Sequence, residues 1–476
     1  MEYILMASQL HLHPDRLFSS NPVERDIART LYNEVKDLPI VSPHGHTDPA
    51  WFALNEPFAN PTDLLIKPDH YVYRMLYSQG ISLDELGIWR KDGSCADVDP
   101  REVWRVFAKH FYLFKGTPSS FWLNYVFVHT FGIEVKLEES TADHYYDIID
   151  SALKRPEFLP RALFEQYNIE VIATTECATD ELTYHQQILD SGWKGKVISA
   201  FRPDAVIDPE HEKFTAKLAK LGALTGLDCT DYDNYLAALR QRRAFFKTMG
   251  VTSTDHGHPT AATADLSHGE AKTLFAKVQS SHFTADEAEL FRAHMLTVMA
   301  EMSIEDGLVM QIHPGAYRNH NKSVFEVYGR DKGADVPSPT EYIQALKPLL
   351  DKFGNNPNLN IILFTLDETV YSRELAPLAG HYPCLKLGPS WWFHDSPEGM
   401  IRFRRQTTET AGFYNTVGFN DDTRAFLSIP ARHDLARRMD CVYLAELVAR
   451  HYIDMDEAHG LAKDLAYNLA KRAYNL

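Results

Sequence analysis

The stretch Leu38-Pro-Ile-Val-Ser-Pro-His-Gly-His46 is a short apolar run that ends abruptly in polar residues. A strand buried on both faces of a parallel sheet ends this way. Just upstream, Asn21-Pro22 followed by VERDIARTLYNEV reads as an N-cap, a first-turn proline and an amphipathic helix. Downstream the pattern recurs in IEVIATTE (169–176), KVISAFRPD (196–204), GVTSTDHGH (250–258), GLVMQIHPG (307–315), NIILFTLDE (360–368), CLKLGPSWW (384–392) and YNTVGFNDD (414–422). Each run starts apolar and carries His, Arg, Asp, Glu or Trp at its end. With 38–43 they make eight candidate strands. Stretches of helical period, such as DEAELFRAHMLTVMAEMS, lie between most of them. Alternating strand and helix predicts an α/β fold with a parallel sheet, and eight units predict a TIM-type (β/α)8 barrel.

One spacing breaks the rhythm. About 125 residues separate the first candidate strand from the second, far more than a barrel connection needs. The intervening WRVFAKHFYLF and FWLNYVFVHTF are aromatic-rich and helical in period. The expected division is therefore 1–50 for the N-terminal helix and first strand, 51–165 for a helical insertion with its own small core, and 166–476 for the rest of the barrel. Residues 204–249 and roughly 257–306 read as further helical segments.

The formal net charge of −17 argues against nucleic acid and against an anionic membrane surface as partners. The five cysteines are scattered and form no CxxC, which opposes a disulfide framework or a four-cysteine zinc site and fits a reducing compartment. The opening MEYILMASQLHLHPDRLF lacks the basic and long apolar regions of a signal peptide, and no run is long enough to span a bilayer. The expected setting is the cytoplasm.

Active sites of α/β barrels lie at the C-terminal ends of the strands. His44 and His46 end the first strand, where residues i and i+2 point to one side, so both imidazoles can reach one ion. HxH alone is a weak signal. His11-Leu12-His13 sits in a surface arm, and His256-Gly257-His258 either lines the site or shapes a helix-cap loop. A three-ligand open site needs a carboxylate. Asp421-Asp422 ends the eighth strand, which neighbours the first in a closed barrel, although the same pair can cap the next helix. His313 ends the fifth strand as a further ligand, a substrate partner or a loop histidine. Arg202, Arg318 and Arg424 follow strand ends, where guanidinium forks suit a substrate carboxylate. Single arginines there are more often surface ion pairs, but three favour an anionic substrate. Trp391 and Trp392 can wall a sugar pocket or belong to the core.

Taken in order, HGHTDP, DHYVYRM, FRPD, MQIHPGAYRNHN, SWWFHD and DDTRAFLSIPARH resemble the uronate isomerase (glucuronate isomerase) family of the amidohydrolase superfamily. The resemblance runs over essentially the whole chain. It implies a distorted barrel with a helical insertion, and interconversion of D-glucuronate with D-fructuronate and of D-galacturonate with D-tagaturonate. It implies His44, His46 and Asp422 as metal ligands, Tyr71 beside His70 as an active-site group from the insertion, and Arg202, His313, Arg318, Trp391, Trp392 and Arg424 as pocket residues. This chain reads D-D-T-R where the family has T-D-S-R, so the choice between Asp421 and Asp422 rests on spacing to Arg424. Binuclear relatives use a Lys on strand four and His residues from strands five and six. Here strands four and six end in Ser-Thr-Asp-His and Thr-Leu-Asp, without that Lys and without a strand-six His, so one divalent ion is expected: Zn2+ first, with Mn2+, Fe2+ or Co2+ also suited to two His and a carboxylate.

The expected reaction is proton transfer from C2 to C1 through a cis-enediol. Asp422 serves as base, Tyr71 or His313 moves the hydroxyl protons, and Arg202, Arg318, Arg424, His70 and the two tryptophans hold the hexuronate. The alternative is a mononuclear metal-dependent hydrolase or deaminase of the same superfamily, separable by ammonia or acid release against ketose formation. A non-catalytic sugar-acid binder would hold uronate without turnover. The aromatic insertion supplies a contact surface for a homo-oligomer.

Overall fold

Seven of the eight expected strands form one parallel sheet in the computed structural model of the chain, which describes residues 8–476. Residues 1–7, the start of the expected 1–50 unit, lie outside the described residues. The strands are β1 (Ile40–Ser42), β2 (Ile169–Cys177), β3 (Lys196–Arg202), β4 (Ser253–His256), β5 (Val309–Ile312), β6 (Ile361–Leu363) and β7 (Leu385–Leu387). They pair in chain order, as right-handed βα units dictate. Val171 pairs with Lys196 and Asp255 with Gln311, a register that brings the polar strand ends to one rim.

The eighth strand is a correction. Residues 414–422 form an irregular segment instead. It touches β7 through Leu387 N to Asn415 O (2.9 Å) and Val417 N to Leu387 O (3.0 Å). The next residue, Thr423, accepts at its carbonyl from His46 N (3.0 Å) just past β1, so the two ends of the sheet meet without a regular ladder. Two residues interrupt extension. Gly418 has φ +74°, and a Cβ there would lie 2.8 Å from Leu465 O in the C-terminal helical segment. Asp422 has φ +37°, a left-handed conformation uncommon for a side chain that is not glycine.

Seven α-helices of at least five residues stand between β1 and β2, from Pro49–Leu54 to Pro160–Gln166. Their apolar faces, with Phe52, Trp104, Phe107 and Tyr145 fully buried, share one cluster with Ile40, Ile169, Ile172 and Val197 of the barrel wall. The insertion thus packs on the sheet as well as on itself. Helix α1 (Pro22–Val35) begins where the sequence predicts it, with the Asn21 side chain accepting from Val23 N. It packs on the long helix Ile429–Ala449. The segments 204–249 and 257–306 hold the helices Phe214–Thr225, Tyr232–Thr248, His268–Gln279 and Ala285–Asp306. The last two open on capping boxes, Ser267/Glu270 and Thr284/Glu287. A small ribbon, Ala316–Tyr317 against Val336–Pro337, stands in the long loop after β5 and was not foreseen.

Candidate active site

β1 delivers His44 and His46 to the rim, and the irregular eighth segment delivers Asp422 opposite them. Asp422 Oδ1 lies 3.4 Å from His44 Nε2 and 3.2 Å from His46 Nε2. A tetrahedral ion about 2.0–2.1 Å from each donor separates the donors by about 3.3 Å. The three side chains are therefore spaced to hold one divalent ion. Asp422 Oδ1 and His44 Nδ1 are buried and have no other partner. The other oxygen, Oδ2, accepts the Trp391 indole N–H. Burial works to raise the Asp422 pKa, but His44 and His46 outweigh it and keep the carboxyl ionised, well below the usual range.

Asp421 turns the other way. Its Oδ2 meets His433 Nε2 at 3.0 Å, and both side chains are buried. The left-handed backbone at Asp422 (φ +37°) turns its carboxylate to the histidines of β1 while that of Asp421 goes to His433. Spacing to Arg424 and geometry select the same residue.

Behind the histidines runs a second layer. His313 stacks between His44 (4.7 Å) and Phe364 (4.0 Å), and its Nδ1 lies 2.7 Å from Asp255 Oδ1. Asp255 Oδ2 takes Arg202 Nη1 at 3.1 Å, and Arg202 Nε donates to Asp204 at 2.8 Å. Burial would raise the Asp255 pKa, yet Arg202 and His313 hold it well below the usual range. Asp255 escaped the sequence reading, although a carboxylate at a barrel strand end was itself the signal.

The insertion supplies the far wall. Asp69 caps the helix His70–Tyr77 by accepting from Tyr71 N (2.9 Å), which turns the first-turn rings inward. His70 stacks on Tyr71 (4.7 Å) and meets Trp392 edge-on (5.9 Å). Burial pushes the Tyr71 phenol up, so it stays protonated and acts as a donor. The Arg432 guanidinium lies 3.5 Å over Trp122 and 5.5 Å from the Tyr71 ring, and pairs with Asp395 at 2.5 Å. Arg432 and Asp395 went unnoticed in the sequence.

The three arginines reach the rim already paired. Arg318 donates to Asp335 (2.9 Å) and lies 5.0 Å over Trp392, while Arg424 donates to Asp331 (3.0 Å). Asp331 sits in a loop with no strand-end signal, so sequence reasoning could not find it. Trp391 differs in kind from Trp392. It is buried against His313 (4.8 Å) and spends its N–H on Asp422, which makes it a strut for the carboxylate. His11 and His13 are exposed. His256, the last residue of β4, and His258 just beyond it are buried and lie close to Asp204.

An α/β barrel whose mouth gathers two histidines, a carboxylate, paired arginines and tryptophans is the build of a metal-site barrel enzyme for an anionic small molecule. Comparison with known proteins fixes the family: the glucuronate isomerase model matches residues 18–474, and the chain belongs to that family. It is 65% identical over 472 residues to the uronate isomerase of Xanthomonas euvesicatoria pv. vesicatoria, covering 99% of this chain and 100% of that one. The crystal structure of glucuronate isomerase from Caulobacter crescentus superposes with a TM-score of 0.97 at 62% identity, covering 98% of each chain. The uronate isomerase from Thermotoga maritima does so at 0.90 with 28% identity, covering 98% of this chain and 99% of that one. Members of this family are aldose–ketose isomerases acting on uronates, and that is the activity of this chain.

Proposed function

We propose that the chain interconverts D-glucuronate with D-fructuronate, and D-galacturonate with D-tagaturonate, by moving a proton between C2 and C1 on one face of a cis-enediol. The observation that carries this is the placement of Asp422. One carboxylate oxygen faces His44 and His46, the other is held by Trp391, and the backbone is left-handed. Such a fixed, ionised carboxylate at the mouth can take the C2 proton and return it at C1. His44, His46 and Asp422 would hold one divalent ion, zinc by preference with Mn2+, Fe2+ or Co2+ as substitutes, and it would supply positive charge where the enediolate develops.

The chain's own groups account for the remaining protons. Proton loss from C2 places negative charge on O1, so O1 must gain a proton as the O2 hydroxyl loses one. The Tyr71 phenol is a donor for O1. His313 Nε2 has no partner and can exchange the O2 proton while Nδ1 stays on Asp255. Arg202, Arg318 and Arg424, with His70 and Trp392, would bind the hexuronate carboxylate and hydroxyls. An incoming carboxylate would compete with Asp331 for Arg424.

The test is turnover in deuterated water. Solvent deuterium at C1 of the ketose, and loss of more than about a hundredfold in kcat for Asp422→Asn, are the expected results. Full retention of the C2 hydrogen with an active Asn variant would sink the proton-transfer reading. The five free thiols support a reducing, cytoplasmic setting. Exposed Leu54, Trp89 and Tyr112 on the insertion support self-association, which light scattering on the purified chain checks.

A further inference from the structure

Alternation along β4 sends Asp255 to one face and His256 to the other. On the second face stands a cluster that the isomerase chemistry does not use. His256 is fully buried and His258 is 3% exposed. Thr254 Oγ1 occupies His256 Nε2 at 3.1 Å, which leaves His256 Nδ1 without a partner. His258 Nε2 and Asp204 Oδ1 are likewise buried and unpartnered, 3.8 Å apart. That gap is too long for a direct hydrogen bond, but an ion about 2.0–2.2 Å from each donor spans it. One donor atom from each of the three residues lies within 4.8 Å of the others.

The electrostatics favour a cation. Asp204 Oδ1 has a lone pair free, and a neutral imidazole keeps one ring nitrogen without a proton, so with His256 Nε2–H donated to Thr254 the cluster can present three lone pairs to one cation. Burial disfavours the imidazolium form of both histidines, which keeps a ligand lone pair on each ring. Asp204 Oδ2 is fully used, accepting from Arg202 Nε (2.8 Å) and Gly257 N (3.0 Å), so Oδ1 is the oxygen left for a ligand. Asp204, Arg202 and Asp255 together carry one net negative charge beside the gap.

We infer that Asp204, His256 and His258 form a second divalent transition-metal site, separate from His44, His46 and Asp422. Two imidazoles and one carboxylate suit Zn2+, Co2+ or Ni2+ over Mg2+ or Ca2+. The ion ties the end of β3 to the end of β4. It fixes the carboxylate that holds Arg202, and Arg202 in turn holds Asp255 under His313. It is thus a positioning element for the rim and lies on the other face of β4 from the reacting groups. The inference does not depend on the first site.

The experiment is a metal count. Wild-type protein, His256→Gln/His258→Gln and His44→Gln/His46→Gln are each loaded with excess Zn2+, gel-filtered and measured for zinc per chain by plasma mass spectrometry. The expected values are two, one and one equivalents. A wild-type value of one that persists in His256→Gln/His258→Gln overturns the inference. A wild-type value of one that vanishes only in His256→Gln/His258→Gln supports it and removes the first site instead. Should the histidine variant fail to fold, anomalous scattering at the zinc edge from loaded wild-type crystals decides. A peak between Asp204, His256 and His258 is expected. Ordered water there, without anomalous signal, refutes the site.

Discussion

Trp391→Phe isolates the hydrogen bond that steadies Asp422. The indole N–H is the only donor on Asp422 Oδ2 among the described residues, and the ring is otherwise apolar packing against His313, Phe364 and Trp392. Phenylalanine keeps most of that packing and removes the donor. A hydrogen bond to a charged group is worth about 1.5–3 kcal/mol, and each 1.4 kcal/mol is a factor of ten. The expected loss is therefore about 10- to 100-fold, the range seen when partners of metal-ligating groups are removed. Folding should survive, since even Trp→Ala in a core costs about 3–5 kcal/mol and Phe leaves a smaller void.

Two assays read the effect. Zn2+ affinity, by competition with a chromophoric chelator, should weaken by that factor. The kcat/KM for glucuronate, followed by coupled reduction of the ketose, should fall alongside it. Trp392→Phe is the control: its ring has no bond to Asp422, so its effect should fall on KM and leave zinc affinity alone. Zinc affinity and kcat/KM both within about twofold of wild type in Trp391→Phe would refute the strut and return Trp391 to simple pocket lining.

Three further outcomes follow from the same structure. In Gly257→Ala, a Cβ would sit 2.1 Å from Arg202 Nη2, so Arg202 must swing away; kcat/KM should drop by about tenfold or more with little change in melting temperature, because small misplacements at a site are costly. Arg432→Met leaves Asp395 buried and alone, since their side chains are only 1% and 5% exposed; urea denaturation should show a loss of about 3–5 kcal/mol, partly recovered in Arg432→Met/Asp395→Leu. Glu176, half-buried near the end of β2, accepts from the Thr174 and Ser199 hydroxyls and has no Lys or Arg bonded to it; desolvation pushes it from 4.5 to about 7. The folded state then binds more protons than the unfolded one between those values, so stability falls as pH rises through that window, by up to about 3 kcal/mol. Urea midpoints at pH 5 and 7.5 should show this slope in wild type and not in Glu176→Gln.

The barrel was legible because burial on both faces forces its strands to read as apolar runs, and catalytic rims force those runs to end in polar residues. The same logic failed at 414–422. Thr416, Val417 and Phe419 read as strand, but Gly418 in their midst is the residue that signals a break, and the Leu465 carbonyl that occupies its missing Cβ lies far along the chain. His44, His46 and Asp422 were legible as types at positions. What the side chains do once there was not. Trp391 and Trp392 are the same letter twice, yet one braces Asp422 and the other lies under Arg318, and only the direction of an indole N–H tells them apart. Asp331 pairs with Arg424 across 93 residues and Arg432 with Asp395 across 37, distances over which no periodicity operates. His256-Gly257-His258 shows the limit most clearly. Its motif is identical in form to His44-Gly45-His46, but His256 is the last residue of β4 while His44 stands two residues past β1. The face of the strand that each pair occupies, and the carboxylate that the fold brings to it, decide which chemistry each can do.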